Sequence, residues 1–210
     1  MSHKGIGYAG LAAAVLAGAV VKAYIQPSPP PQFNAQQATR TFEQTMQKLE
    51  SDGLAHHPGV SENEAVRLEA IAEASARLKN SPASQRRGSA ATQFLGYYYA
   101  NTTIYSEICR GVDISPYVGA FQAEHADVLR EATEIMAKSG VTLAQVNGVL
   151  LSATPNLKPL LTQRIRELTS PEQPTVQEGC VFLAAHGAAL ARAQLLSTVN
   201  PDTYKAIVQD

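Results

Sequence analysis

Charge of one sign is the first thing this chain of 210 residues does not have: acidic and basic side chains nearly balance at a formal net charge of -1, with a pI near 6.5. No basic footprint for nucleic acid stands out, so a DNA or RNA partner is not expected. Charged residues make up only 17% of the chain against 45% apolar ones, which separates it from disordered sequences and predicts a folded core. Alternation with period two is also missing, so strands are not supported, and no repeat at a fixed spacing points to a solenoid.

Catalytic signatures are lacking as well. There is no Gly-x-Ser-x-Gly elbow, no His-Glu-x-x-His, no phosphate loop and no dinucleotide glycine pattern. Cys109 and Cys180 are the only cysteines and have no Cys-x-x-Cys context, which leaves thiol redox chemistry unsupported. No cofactor is expected.

The strongest positive signal lies at the start. Met1 to Lys4 is short and basic, and Gly5 to Val21 then runs without a charge. This is the pattern of an export signal or a membrane anchor, assigned to residues 1–26. A bilayer span needs roughly 20 apolar residues, which Gly5 to Ile25 supplies only if Lys22 snorkels to the interface. Small residues before a cut at Ala17-Gly18-Ala19 or Val21-Lys22-Ala23 suit cleavage. Gly10, Ala14 and Gly18, four apart, suit retention as a packing face for another membrane helix. A buried helix of a soluble protein is the third reading. Lys4 precedes the apolar run, so the remainder is expected to be translocated, membrane-anchored or released into the periplasm or another extracytoplasmic space.

Residues 27–33, with Pro27, Pro29, Pro30 and Pro31, form an extended spacer ahead of a helical domain at 34–210. The fold class is all-α, a bundle of about six to eight helices. Asn34 caps a first helix that Gly53 ends. Ser61 to Glu64 is a capping box opening a helix to Asn80, and a third runs from about Ser84 to Arg110. A fourth extends from Ser115-Pro116 to Gly140. Thr142 to Gln145 opens a short helix, Thr154-Pro155 another, and Thr175 to Glu178 a long one ending near Thr198. Val181 to Leu196 is apolar on nearly every face and is expected at the centre of the bundle.

Few residues suggest chemistry. His125 falls on the apolar stripe of the fourth helix, and His186 has Phe182, Ala189 and Ala193 at helical spacing, so both are expected inward, where a shared metal or haem site becomes conceivable. The expectation for His125 is nevertheless a hydrogen-bonded core histidine, and no metal is assigned. His56 and His57 are expected in a solvated turn. Tyr97, Tyr98 and Tyr99 cannot share one helix face, so at least one reaches a surface where it is a candidate protein contact. Asn101-Thr102-Thr103 is a glycosylation sequon, relevant in a eukaryote alone. Cys109 and Cys180 are expected to form one disulfide, worth roughly 3 to 4 kcal/mol through loop closure. The resulting expectation is a non-enzymatic exported or membrane-anchored protein that binds a protein partner, with a ligand or metal binder or an exported enzyme as alternatives.

Overall fold

The computed structural model describes residues 35–169 and 175–209; the expected anchor with Gly10, Ala14 and Gly18, the proline spacer and the Asn34 cap lie outside them. Among the described residues no helix is long and apolar enough to cross a membrane. The described chain is all-helical, and it is cut more finely than the punctuation of the sequence predicts.

Helix α1 (Ala35–His56) and α2 (Glu62–Asn80) pack as an antiparallel pair. Gly53 does not end α1. It is buried where the two helices cross, and a Cβ there would lie 2.8 Å from the main-chain carbon of Ala65. Close approach, not a turn, explains this glycine. Ser61 caps α2 by accepting the Glu64 amide, while the Glu64 carboxylate pairs forward with Arg67 instead of returning to the cap.

Helix α3 (Ala83–Tyr99) runs directly into a π-helical turn (Ala100–Ile104) and then α4 (Tyr105–Ile108). Residues 90–97 are all buried, and α3 touches α2, α6, α7 and α11, so it takes the central place that the sequence pattern offered to residues 181–196. That later segment is instead peripheral: Val181 is 51% exposed, and Ala185, Ala188 and Ala189 are exposed too. Alanines make a helix look apolar all round without requiring burial on every face.

The expected fourth helix is two, α5 (Ser115–Glu124) and α6 (Ala126–Lys138), broken at His125. The expected helix from Thr175 is likewise broken, into α8 (Val176–Ala185), α9 (Gly187–Ala193) and α10 (Leu196–Val199), with His186 and Gln194 at the breaks. At each histidine ψ opens to 8° or 16°, yet the ladder continues across the break through bonds such as His125 N to Phe121 O and Leu190 N to His186 O. These are kinks in near-continuous rods; no proline or glycine marks the first, while at the second Gly187 lets the helix pass close to Tyr117.

Between them the opposite error occurs. The two helices expected from Thr142 and Thr154 are one, α7 (Leu143–Arg166), opened by a reciprocal Thr142–Gln145 capping box and carrying Pro155 and Pro159 inside it. Both prolines and Leu151 are exposed, so carbonyls freed by the missing amides lie on the wet side of the helix. A second reciprocal box, Thr175 with Glu178, starts α8, and Asn200 caps the last helix, α11 (Pro201–Val208). The described residues thus form eleven α-helices and one π turn around a core led by Phe94, Tyr97, Tyr105, Tyr117, Phe121 and Met136.

Candidate functional site

Cys109, just after α4, and Cys180 in α8 are joined by a disulfide with 5.5 Å between their Cα atoms, and both are buried. This linkage anchors the most unusual backbone of the molecule, the π turn ahead of it. The local sequence accounts for that turn: Asn101 Nδ2 donates to the Tyr97 carbonyl at 2.8 Å, and Thr102 Oγ1 donates to the Tyr98 carbonyl at 2.8 Å. These polar side chains compete with main-chain donors for carbonyls of the preceding turn, while the Tyr105 amide reaches back five residues to Ala100.

Beneath the π turn lies a buried polar chain. Tyr97 Oη donates to the main-chain oxygen of Gln194 at 2.5 Å. Tyr117 Oη is 2.6 Å from Asn101 Oδ1 and 2.8 Å from the Gln194 side-chain oxygen as placed. One phenol proton cannot serve two acceptors, and Asn101 already uses its amide on Tyr97, so the Gln194 amide must present its nitrogen to Tyr117. The order of donation is then Gln194 to Tyr117 to Asn101 to the Tyr97 carbonyl. Four helical segments are fastened through it.

His125 borders this chain, 1% exposed, its ring stacked on Phe121 at 4.1 Å and Nδ1 2.9 Å from the Phe121 carbonyl oxygen. Burial lowers its pKa, against the pull of the Phe121 and Gln194 carbonyls and of Glu124. Its Nε2 is left to the weak pull of the Gln194 carbonyl, without a well-formed hydrogen bond. The phenols of Tyr97 and Tyr117 are pushed well up by burial, and that of Tyr105 up to about 12, so all three are neutral at physiological pH. The cluster holds no carboxylate and no nucleophile, which suits it to fixing geometry rather than to moving protons.

The structure separates the two inward histidines of the sequence reading. His186 is exposed at the α8–α9 kink, its ring tilted against Phe182 at 4.4 Å, because the buried stripe of these helices is Leu183, Gly187, Leu190 and Gln194 and the face shared by Phe182, His186 and Ala189 looks outward. Among the described residues no group of three His, Cys, Asp or Glu side chains is placed to hold a metal ion. His56 and His57 are not a simple solvated pair: His56 Nδ1 is 3.0 Å and His57 Nε2 3.4 Å from the carboxylate of Glu69, which is 8% exposed.

The tyrosine triplet divides by depth. Tyr97 is fully buried, and Tyr98 and Tyr99 are half-buried, the first against Phe94 and Phe121 and the second with its hydroxyl 3.4 Å from Thr154 Oγ1. Asn101 is 1% exposed, so the sequon is closed to a glycan.

Above this framework lies a feature the sequence did not single out. A surface groove of about 470 Å³ runs between the Cys109–Ser115 segment and α5, with Cys109 in its floor and Val112, Ile114 and Val118 along it. Arg110 and Asp113 stand at the rim; Arg110 is exposed and has no ion pair among the described residues, while the carboxyl of Asp113 is held low by hydrogen bonds from Ser115. Gly111, at φ 98°, supplies the left-handed turn that brings these residues back toward α5. Gln122 forms the far wall and interacts with the Tyr98 hydroxyl. The glycine and the following Asp-x-Ser were the available signals. No protein-family model, curated protein or solved structure matches this chain.

Proposed function

We propose that this chain is a non-enzymatic exported or membrane-anchored helical domain, facing the periplasm or another extracytoplasmic space, that binds a segment of a protein partner in the 106–122 groove. The observation that carries the reading is that the groove is braced before anything enters it. Its floor is tied to α8 by the disulfide, and its α5 wall is tied to the π turn through Tyr117 and Asn101. A preset groove spends little ordering free energy on association. The buried disulfide also supports an oxidising compartment, in keeping with the apolar N-terminal segment. The occupant is an apolar segment carrying a carboxylate, the apolar side chain against Val112 and Val118 and the carboxylate on unpaired Arg110. An interior ligand or metal site shared by His125 and His186 loses its premise with His186 at the surface.

The test places a photo-reactive phenylalanine analogue at Gln122 of the full chain in its native cells. One discrete adduct is expected, identified by mass spectrometry as a protein with an acidic apolar segment at the crosslink, lost with Arg110→Glu and kept with Lys138→Glu. An adduct indifferent to Arg110→Glu, or none, overturns the reading.

A further inference from the structure

On another part of the surface, the end of α2, the start of α3 and α11 converge on an open groove of about 350 Å³ lined by Leu78, Lys79, Arg86, Asp202, Lys205 and Ala206. Three cations face one carboxylate there, in a chain whose net charge is -1. Cations elsewhere are commonly paired: Lys48, Arg67, Arg77, Arg130, Lys158, Arg164 and Arg192 each have a carboxylate within 4 Å. Lys79, Arg86 and Lys205 have none among the described residues, and neither has Arg87, the neighbour of Arg86. The two arginines are instead held by main-chain oxygens, Arg86 Nη2 donating to Ser81 at 3.5 Å and Arg87 Nη2 to Ile207 at 3.3 Å. The Nε of each is buried without a hydrogen-bond partner. Helix α3 opens at the same place without a side-chain cap, so its N-terminal partial charge is not offset by a capping oxygen.

Unpaired cations gathered around a concavity are unfavourable to one another unless an anion joins them. We propose that this groove binds a phosphate group with a hydroxyl on it or on the group it esterifies, the oxyanion lying among Lys79, Arg86 and Lys205. Asp202 gives the specificity. A carboxylate on the wall repels a bare oxyanion and accepts a hydrogen bond from a hydroxyl beside it, carried on phosphorus in hydrogen phosphate and on the glycerol in a phosphatidylglycerol headgroup, so either is favoured over sulfate. The site is remote in composition from the 106–122 groove, shares no residue with it, and does not depend on the protein-binding reading.

The experiment uses the full chain in a non-ionic detergent and follows the amide resonances of Lys79, Arg86 and residues 202–206 during titration with inorganic phosphate, with sulfate and with dihexanoyl phosphatidylglycerol. Saturable shifts at these positions with phosphate or the lipid, and at least tenfold weaker binding of sulfate, are expected. Tighter binding of the lipid identifies a headgroup site, and tighter binding of inorganic phosphate a free-phosphate site. Lys79→Glu with Lys205→Glu is expected to weaken binding about tenfold or more, a change of roughly 1.4 kcal/mol. Asp202→Asn is expected to bring sulfate level with phosphate. Both lysines are exposed, and the milder Lys79→Gln with Lys205→Gln repeats the test if charge reversal perturbs the fold, judged by the thermal midpoint. The proposal is overturned by shifts that never saturate, by affinity unchanged in the lysine variants, or by sulfate that binds the unaltered chain as tightly as phosphate.

Discussion

The hydroxyl of Tyr117 lies 2.6 Å from Oδ1 of Asn101, so a helix α5 side chain is bonded to the π turn at a point where neither residue is more than 1% exposed. Removing that hydroxyl leaves two buried amide groups short of a partner. Tyr117→Phe is expected to destabilise the protein by about 1–3 kcal/mol, read from urea unfolding followed by circular dichroism. An unchanged midpoint would show that the polar chain contributes nothing net.

The disulfide links residues separated by 71 positions, for which loop closure alone gives about 4 kcal/mol. Thiol titration of the native protein is expected to find no free thiol, and two after unfolding with reductant. The Cys109→Ala, Cys180→Ala double variant should unfold at a clearly lower urea concentration, with the π turn and the 106–122 groove losing amide protection first.

Two glycines in helices make opposite predictions. At Gly179 a Cβ would fall inside the main-chain carbonyl of Ile165, whereas at Gly148, on the exposed side of α7, nothing lies within 4 Å. Gly179→Ala should cost about 1–3 kcal/mol by forcing α8 off α7. Gly148→Ala should stabilise by about 0.5–1 kcal/mol through helix propensity. Paired thermal melts check both signs.

His125 sets a pH dependence. Burial holds its pKa in the folded state below the ordinary value of 6.5, so the unfolded chain takes up the proton first as pH falls. Stability is therefore full above about pH 6.5, declines as pH drops below it, and levels off once the folded-state pKa is passed. Urea midpoints between pH 7.5 and 5 should show this decline, and His125→Gln should flatten that part of the curve whatever it does to absolute stability.

What the sequence made legible follows from range. Caps and boxes act over three or four residues, and Ser61, Thr142 and Thr175 all begin helices. The cysteine pairing was legible too, because only two cysteines exist. Gly53 was misread, since a glycine needed for a crossing looks the same as one needed for a turn. Pro155 was misread as a helix start because an exposed proline, as Pro159 also shows, can stay inside a helix whose freed carbonyls meet water. His186 was misread because alanines at helical spacing mark an apolar face without saying whether it is buried, and the stripe that is buried runs through Leu183, Gly187, Leu190 and Gln194. The candidate groove was invisible because Cys109, Asp113 and Gln122 gain meaning only when Gly111 turns the chain back on α5.

The covalent link between Cys109 and Cys180 also determines how this domain would carry a load. Tension applied between Ala35 and Gln209 would pass from one cysteine straight to the other, bypassing every residue in between. The 71-residue loop, with roughly 250 Å of contour, would stay slack while the flanking helices unravel. The Cys109–Ser115 segment, α5 and α7 lie inside that shielded loop, whereas the cationic groove, built from residues 78–86 and 202–206, lies wholly outside it and would bear the force.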